Sequence, residues 1–197
     1  MKRCKLKFKL GLFAAFTILA VVITAPHYVP ALFLSVSIHE LGHIFMARLC
    51  KIPLRELRLG IFGASLFPDA ANFSYFKEIM LCAGGPIFNF LCVAVGIMRG
   101  PLESSLFLCS SLALGTLNLL PVYELDGGRM LSAILHTFFP IRVCDHIIKL
   151  TSFSVIFSLW VLSVYLILRA GTSLTLFVFS ASSFAKIFLS SNSRYLR

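Results

Sequence analysis

Long apolar runs separated by short polar breaks organise this chain from end to end. The apolar runs fall at about 10–25, 29–50, 77–98, 103–121, 149–168 and 172–190. Each approaches the ~20 residues that an α-helix needs to cross a hydrocarbon core about 30 Å thick. The longest polar stretch, roughly 51–76, contains a short alternation: Leu57, Leu59 and Ile61 set against Arg58, Gly60 and Phe62. That period of two suits an extended segment. The pattern predicts an all-α polytopic membrane protein of about six transmembrane helices, in one membrane domain spanning 1–197. No repeat, low-complexity linker or sizeable soluble appendage interrupts it.

Composition agrees. Of 197 residues, 58% are hydrophobic and only 13% charged, with a mean hydropathy of +0.92. A soluble domain of this size cannot hide so much apolar surface, so lipid is the expected solvent. The basic N-terminus, Met1 to Lys9, followed by an apolar run resembles a signal peptide. Its exit, Ala25-Pro26-His27-Tyr28, is a poor cleavage site, so a retained helix is expected.

Formal net charge is +10, and its distribution sets an orientation. Across the six expected spans, 16 of the 18 Lys and Arg fall on one side, leaving Arg99 and Arg169 on the other. The positive-inside rule then places both termini in the cytoplasm. Nucleic-acid binding would need a folded basic face, and these charges are parcelled out loop by loop. The six cysteines form no CxxC pair and read as small buried hydrophobes.

One apolar run contains ionisable groups that hydrocarbon penalises. His39, Glu40 and His43 stand inside Ser-Ile-His-Glu-Leu-Gly-His-Ile-Phe-Met-Ala. On a helix, residues 39 and 43 project from one face one turn apart, the spacing at which two imidazoles bind one zinc ion. Glu40 lies close enough to activate a water without being a ligand. The plainer alternative is a hydrogen-bonded polar cluster joining helices. A zinc protease site also needs a third protein ligand. His27 falls on the opposite side; His136, Asp145 and His146 fall in the basic fourth-to-fifth connection; Glu56, Asp69 and Glu78 lie around the loop after the second helix; Glu103 ends an outer helix. The segment from Asn118 to Leu131 remains, with Glu124 and Asp126 on a backbone that Pro121 and Gly127-Gly128 should keep from being a regular helix. Both acids stay open as ligands at this level.

His-Glu-Leu-Gly-His (39–43) in one span, with Asn118, Pro121 and Leu-Asp-Gly-Gly (125–128) in a later one, resembles the site-2 protease family of intramembrane zinc proteases. Leu-Arg-Leu-Gly-Ile-Phe-Gly-Ala-Ser-Leu (57–66) is similar to the membrane-associated strand or hairpin after that family's HExxH helix. Ala-Gly-Gly-Pro-Ile-Phe-Asn-Phe (83–90) is similar to its G-P-x-x-N element. The compact plan, without PDZ or CBS domains, resembles the bacterial sporulation-type members that cleave a membrane-tethered transcription-factor precursor. The resemblance covers about residues 30–135 and implies a catalytic core of about 29–135 with accessory helices at 10–25, 149–168 and 172–190. One departure stands out: Tyr123-Glu124 replaces a second proline frequent in the family, which keeps Glu124 as the alternative ligand.

The resemblance implies one Zn2+ per chain held by His39, His43 and Asp126, with Glu40 as general base. It implies an amide, Asn118 or Asn89, that stabilises the oxyanion, and a strand at Leu59, Gly60, Ile61, Phe62 and Gly63 that presents the substrate. The expected activity is regulated intramembrane proteolysis in a bacterial cell membrane. The implied partners are a membrane-spanning or membrane-tethered protein substrate, a membrane regulatory protein and the bilayer, with no nucleic acid. The rival readings are a membrane metal-ion transporter using the same His/Asp site and an inactive scaffold. No inverted repeat favours the first, and every expected catalytic position is filled against the second.

Overall fold

The computed structural model describes residues 5–8, 26–52, 54–60, 63–68, 74–100, 105–170, 176–178, 180–181 and 183–184. The expected helix at 10–25, and most of that at 172–190, lie outside the described residues. Three described helices are long and apolar enough to cross a membrane: Pro26–Leu49, Tyr75–Ile97 and Ile141–Arg169.

Helix α1, Val29–Leu49, follows a 3-10 turn, Pro26–Tyr28. Pro30 sits in its first turn, where a missing N–H breaks no helical bond. The helix ends in a tight reversal: Ile52 N–H donates to the Ala47 carbonyl and Lys51 N–H to that of Arg48, while Lys51 adopts φ 50. This is a Schellman arrangement, completed by apolar contact among Ile52, Ala47 and Leu81. It turns the chain sharply out of the helix and into strand.

A three-stranded sheet follows, of order β1-β2-β3, with β1 Lys5–Phe8, β2 Leu54–Gly60 and β3 Gly63–Pro68. β2 and β3 pair antiparallel, with Leu57 opposite Leu66 and Gly60 opposite Gly63. β1 pairs parallel to the other side of β2, Lys5 opposite Glu56 and Phe8 opposite Leu59. The sequence signals no partner for β2 from the N-terminus, because a four-residue segment inside a basic stretch reads as the flank of the apolar run that follows it.

Helix α2, Tyr75–Ile97, contains Pro86, whose ring removes the N–H that would bond the Cys82 carbonyl and loosens that turn. Helix α3, Leu106–Asn118, has only 13 residues, about 20 Å at 1.5 Å per residue. It is therefore short of the ~30 Å core where a full span at 103–121 was expected. Ser105 caps it, accepting from Leu108 N–H.

After α3 the backbone breaks over Leu119–Leu125 and restarts as helix α4, Asp126–Phe138. The two glycines expected to prevent helix lie in its first turn, and their function is different. A Cβ on Gly127 would overlap the Leu119 carbonyl, and one on Gly128 the Val122 carbonyl. They let the start of α4 pack backbone to backbone on the preceding turn. Helix α5, Ile141–Ala170, begins two turns before the apolar run at 149–168. Pro140 starts it by accepting from Val143 and Cys144 N–H, and nothing in 141–149 breaks a helix. His136 therefore closes α4, and Asp145 and His146 lie in the first turns of α5; they are not in a connection.

Helix α2 is central, touching α1, α3 and α4. Its contact with α1 is nearly backbone to backbone. A Cβ on Gly42 would overlap the Gly84 carbonyl, as small residues permit between membrane helices. Ser35 Oγ and Ser111 Oγ, 3.0 Å apart, join α1 to α3. On α5, Ile156 packs with Val122 and Leu125, closing over the broken segment. Among the described residues five cysteines are free, with Cys82 and Cys144 buried.

Candidate metal centre

Three side chains from two helices converge on one point. From α1 come His39 and His43, one turn apart and both buried; from the first residue of α4 comes Asp126, only 9% exposed. His39 Nε2 and His43 Nε2 are 3.1 Å apart, and they lie 3.1 and 3.2 Å from Asp126 Oδ2. The three atoms form a nearly equilateral triangle. Among the described residues no other trio of His, Cys, Asp or Glu converges this way.

Proton bookkeeping shows what the triangle needs. His43 Nδ1 lies 2.8 Å from the Leu81 carbonyl, which can only accept, so Nδ1 carries the proton. In a neutral ring Nε2 is then a bare lone pair. It points at a carboxylate oxygen and at another imidazole nitrogen, contacts that either a shared proton or a bound cation relieves. The donor set also suits zinc by size: a tetrahedral ion with bonds of about 2.0–2.1 Å holds its ligands about 3.3 Å apart.

The rest of the site makes room for this cluster. Gly85 of α2 faces both rings; a Cβ there would lie 2.5 Å from His39 Nε2 and 2.6 Å from His43 Nε2. Leu81, Gly85 and Asn89 recur every four residues, so one stripe of α2 runs along the HELGH face of α1. The turn carrying Asp126 is braced from α5. There Ser152 Oγ accepts from Tyr123 N–H at 2.9 Å and donates to the Pro121 carbonyl at 3.4 Å. The Arg129 guanidinium, one turn after Asp126, lies 3.6 Å from Glu78 of α2.

Other candidates fall elsewhere. Glu40 is next to the cluster on α1 with both carboxylate oxygens shielded from solvent. Glu124 is exposed, outside the trio. Asn118 is buried at the end of α3, its amide donating to the Leu114 carbonyl at 3.0 Å. Asn89 is fully buried, its amide nitrogen 3.3 Å from His39 Nδ1. That is the ring edge away from the triangle. Leu59 and Gly60 are in β2 and Gly63 begins β3, while Ile61 and Phe62 lie outside the described residues. Sequence reasoning missed three contributors: the Leu81 carbonyl, which has no side-chain signature; Ser152, one serine among many in an apolar helix; and the role of Gly85, legible only as the midpoint of the Leu81-Gly85-Asn89 spacing.

Residues 27–102, covering α1, β2, β3 and α2, match the family model for Peptidase family M50. Over that stretch the chain is similar to peptidase family M50. It is 32% identical over 114 residues to a zinc metalloprotease of Methanocaldococcus jannaschii, an alignment covering 53% of this chain and 33% of that protein. The chain thus spans about a third of the length of the curated relative it matches. Its fold is similar to the solved site-2 protease from Methanocaldococcus jannaschii, with a TM-score of 0.70, 19% identity, and coverage of 96% of this chain and 92% of that one. The M50 match ends before Asp126, so the third corner of the triangle rests on the geometry alone.

Proposed function

We propose that this chain is an M50-type intramembrane zinc metalloprotease that hydrolyses peptide bonds of membrane-embedded or membrane-tethered proteins. The observation that carries the reading is the triangle of His39 Nε2, His43 Nε2 and Asp126 Oδ2, whose lone pairs converge on a point inside the helix bundle. His39 lies about 15 Å, at 1.5 Å per residue, from either end of α1, so any bond cut there is cut at membrane depth.

His39, His43 and Asp126 would hold one Zn2+. Bound there, zinc supplies Lewis-acid polarisation of a peptide carbonyl and a nucleophile active near neutral pH. Glu40, adjacent to His39 and screened from solvent, takes the proton of the attacking water and returns it to the leaving amine. Asn118, at the inner end of α3, is the better placed of the two amides to reach a substrate carbonyl. Removing such a donor costs about 2.7–4 kcal/mol in comparable sites.

A helical substrate must unwind before its carbonyls are exposed, and unpaired backbone groups in lipid cost several kcal/mol each. Adding the unwound segment to a strand edge re-satisfies them. β2 is flanked by β1 and β3, so an incoming strand cannot pair with it directly. Among the described strands the outer edge of β3 is the open side of the hairpin, and the substrate adds there.

The deciding experiment is Glu40→Gln in the full chain, co-expressed with a library of single-span and hairpin membrane proteins. The variant is expected to bind zinc like the wild type and to cleave nothing the wild type cleaves. Retained cleavage defeats the assignment of Glu40; wild-type zinc flux altered by Glu40→Gln, with no cleavage by either protein, makes the chain a transporter.

A further inference from the structure

We infer that Asn89 positions His39 for metal binding, its side-chain oxygen accepting the proton on His39 Nδ1. This rests on the zinc reading of the site and extends it to a residue that touches neither metal nor substrate. An imidazole that offers Nε2 to a metal carries its proton on Nδ1, and that N–H needs an acceptor to fix the ring. For His43 the acceptor is the Leu81 carbonyl at 2.8 Å. For His39 the neighbour of Nδ1 is the Asn89 side chain, fully buried.

The observed amide orientation sets a donor against a donor, and one rotation replaces that contact with a donor–acceptor pair. Asn89 Nδ2 faces His39 Nδ1 at 3.3 Å, a donor against what must be a donor. Meanwhile Asn89 Oδ1 is buried with no hydrogen-bond partner, a state that costs about 1–3 kcal/mol. The two ends of the amide are nearly identical in shape. Turned by half a revolution, Oδ1 meets Nδ1–H and the buried oxygen gains its partner. Both ligand rings are then held from behind by one stripe of α2: a carbonyl at Leu81, a gap at Gly85, an amide oxygen at Asn89. Helix α3 packs closely against the base of this side chain at Gly115, where an added Cβ would lie 3.3 Å from Asn89 Cβ.

Three full-length proteins in detergent test this: wild type, Asn89→Asp and Asn89→Leu. Zinc affinity is measured by chelator competition, and ligand geometry by the visible bands of the cobalt(II)-substituted protein. Aspartate keeps an acceptor and offers no donor when ionised; leucine branches at the same carbon and offers neither. Asn89→Asp is expected to bind zinc and absorb like the wild type, and Asn89→Leu to bind about 10–100-fold more weakly with altered cobalt bands. Asn89→Leu binding like wild type, or Asn89→Asp losing as much affinity as Asn89→Leu, overturns the inference. If Asn89→Leu fails to fold, Asn89→Asp decides alone, since an amide that merely donates or glues helices cannot be replaced by a carboxylate. A wild type that binds no zinc defeats the functional proposal itself; a zinc-binding wild type with indifferent Asn89 variants defeats only this one.

Discussion

Replacing Gly85 by alanine adds one methyl group, yet the structure makes it a substitution against both histidine rings. The new Cβ would lie 2.5 Å from His39 Cε1 and Nε2 and 2.6 Å from His43 Nε2. Ordinary contact begins near 3.4 Å, so one side must yield by 0.8–0.9 Å. The rings cannot yield freely, because the Leu81 carbonyl and Asn89 hold their far edges. The α2 backbone cannot back away cheaply either, because Gly42 and Gly84 lock it to α1. Zinc–ligand distances tolerate about ±0.2 Å, several times less than the displacement demanded. Loss of at least one ligand follows, and with it about 100-fold or more in zinc affinity, equivalent to about 2.8 kcal/mol or more at 1.4 kcal/mol per tenfold. The assay is zinc content and chelator competition on purified full-length protein, with thermal melting to monitor the fold. Gly100→Ala, where a Cβ meets nothing within 4 Å, is the control and should match the wild type. Gly85→Ala retaining wild-type zinc affinity would refute the reasoning, since neither the close approach of α2 nor the fixed rings could then be real.

Asp126→Asn should lower zinc affinity sharply while Glu124→Gln leaves it unchanged, read by chelator competition; the reverse result moves the third ligand to Glu124. Ser152→Ala should destabilise the protein by about 1–3 kcal/mol in thermal or denaturant melts, because it strands the Tyr123 N–H. It should also slow cleavage by loosening the turn that delivers Asp126. In a strand, successive N–H groups point to opposite sides, so of Ser65→Pro and Leu66→Pro only one removes an outward donor of β3. That one should abolish cleavage with zinc content unchanged, and wild-type cleavage by both variants rules out substrate pairing at this edge. Reporter fusions at Arg197 and near Arg99 should report opposite sides of the membrane; the same side for both removes the orientation drawn from the basic residues.

The HELGH half of the site was legible because its geometry is local. A four-residue separation puts His39 and His43 on one face of any helix, whatever packs against it, and an apolar run of that length can hardly be anything but helix. The long helices α1 and α2 came through for the same reason. Helix α4 did not. It is short and mixes charged with apolar positions, so a search for apolar length passes over it, and its two glycines argue against helix on propensity alone. Their use is tertiary: they replace side-chain volume with backbone contact against Leu119 and Val122, which no local rule registers.

The choice between Glu124 and Asp126 shows where sequence reading stops. Two acids two residues apart on a broken segment are equivalent until the break is drawn in three dimensions. The drawing depends on Ser152, about 30 residues away on another helix, bonding to Pro121 and Tyr123. Once that turn is fixed, α4 must start where Gly127 and Gly128 fit the preceding backbone, and its first residue is the one aimed at the histidines. The acid aimed at the histidines is therefore selected by the packing of two glycines beside it, and enlarging Gly127 with Asp126 intact should lower zinc affinity as far as Asp126→Asn does in the same chelator competition.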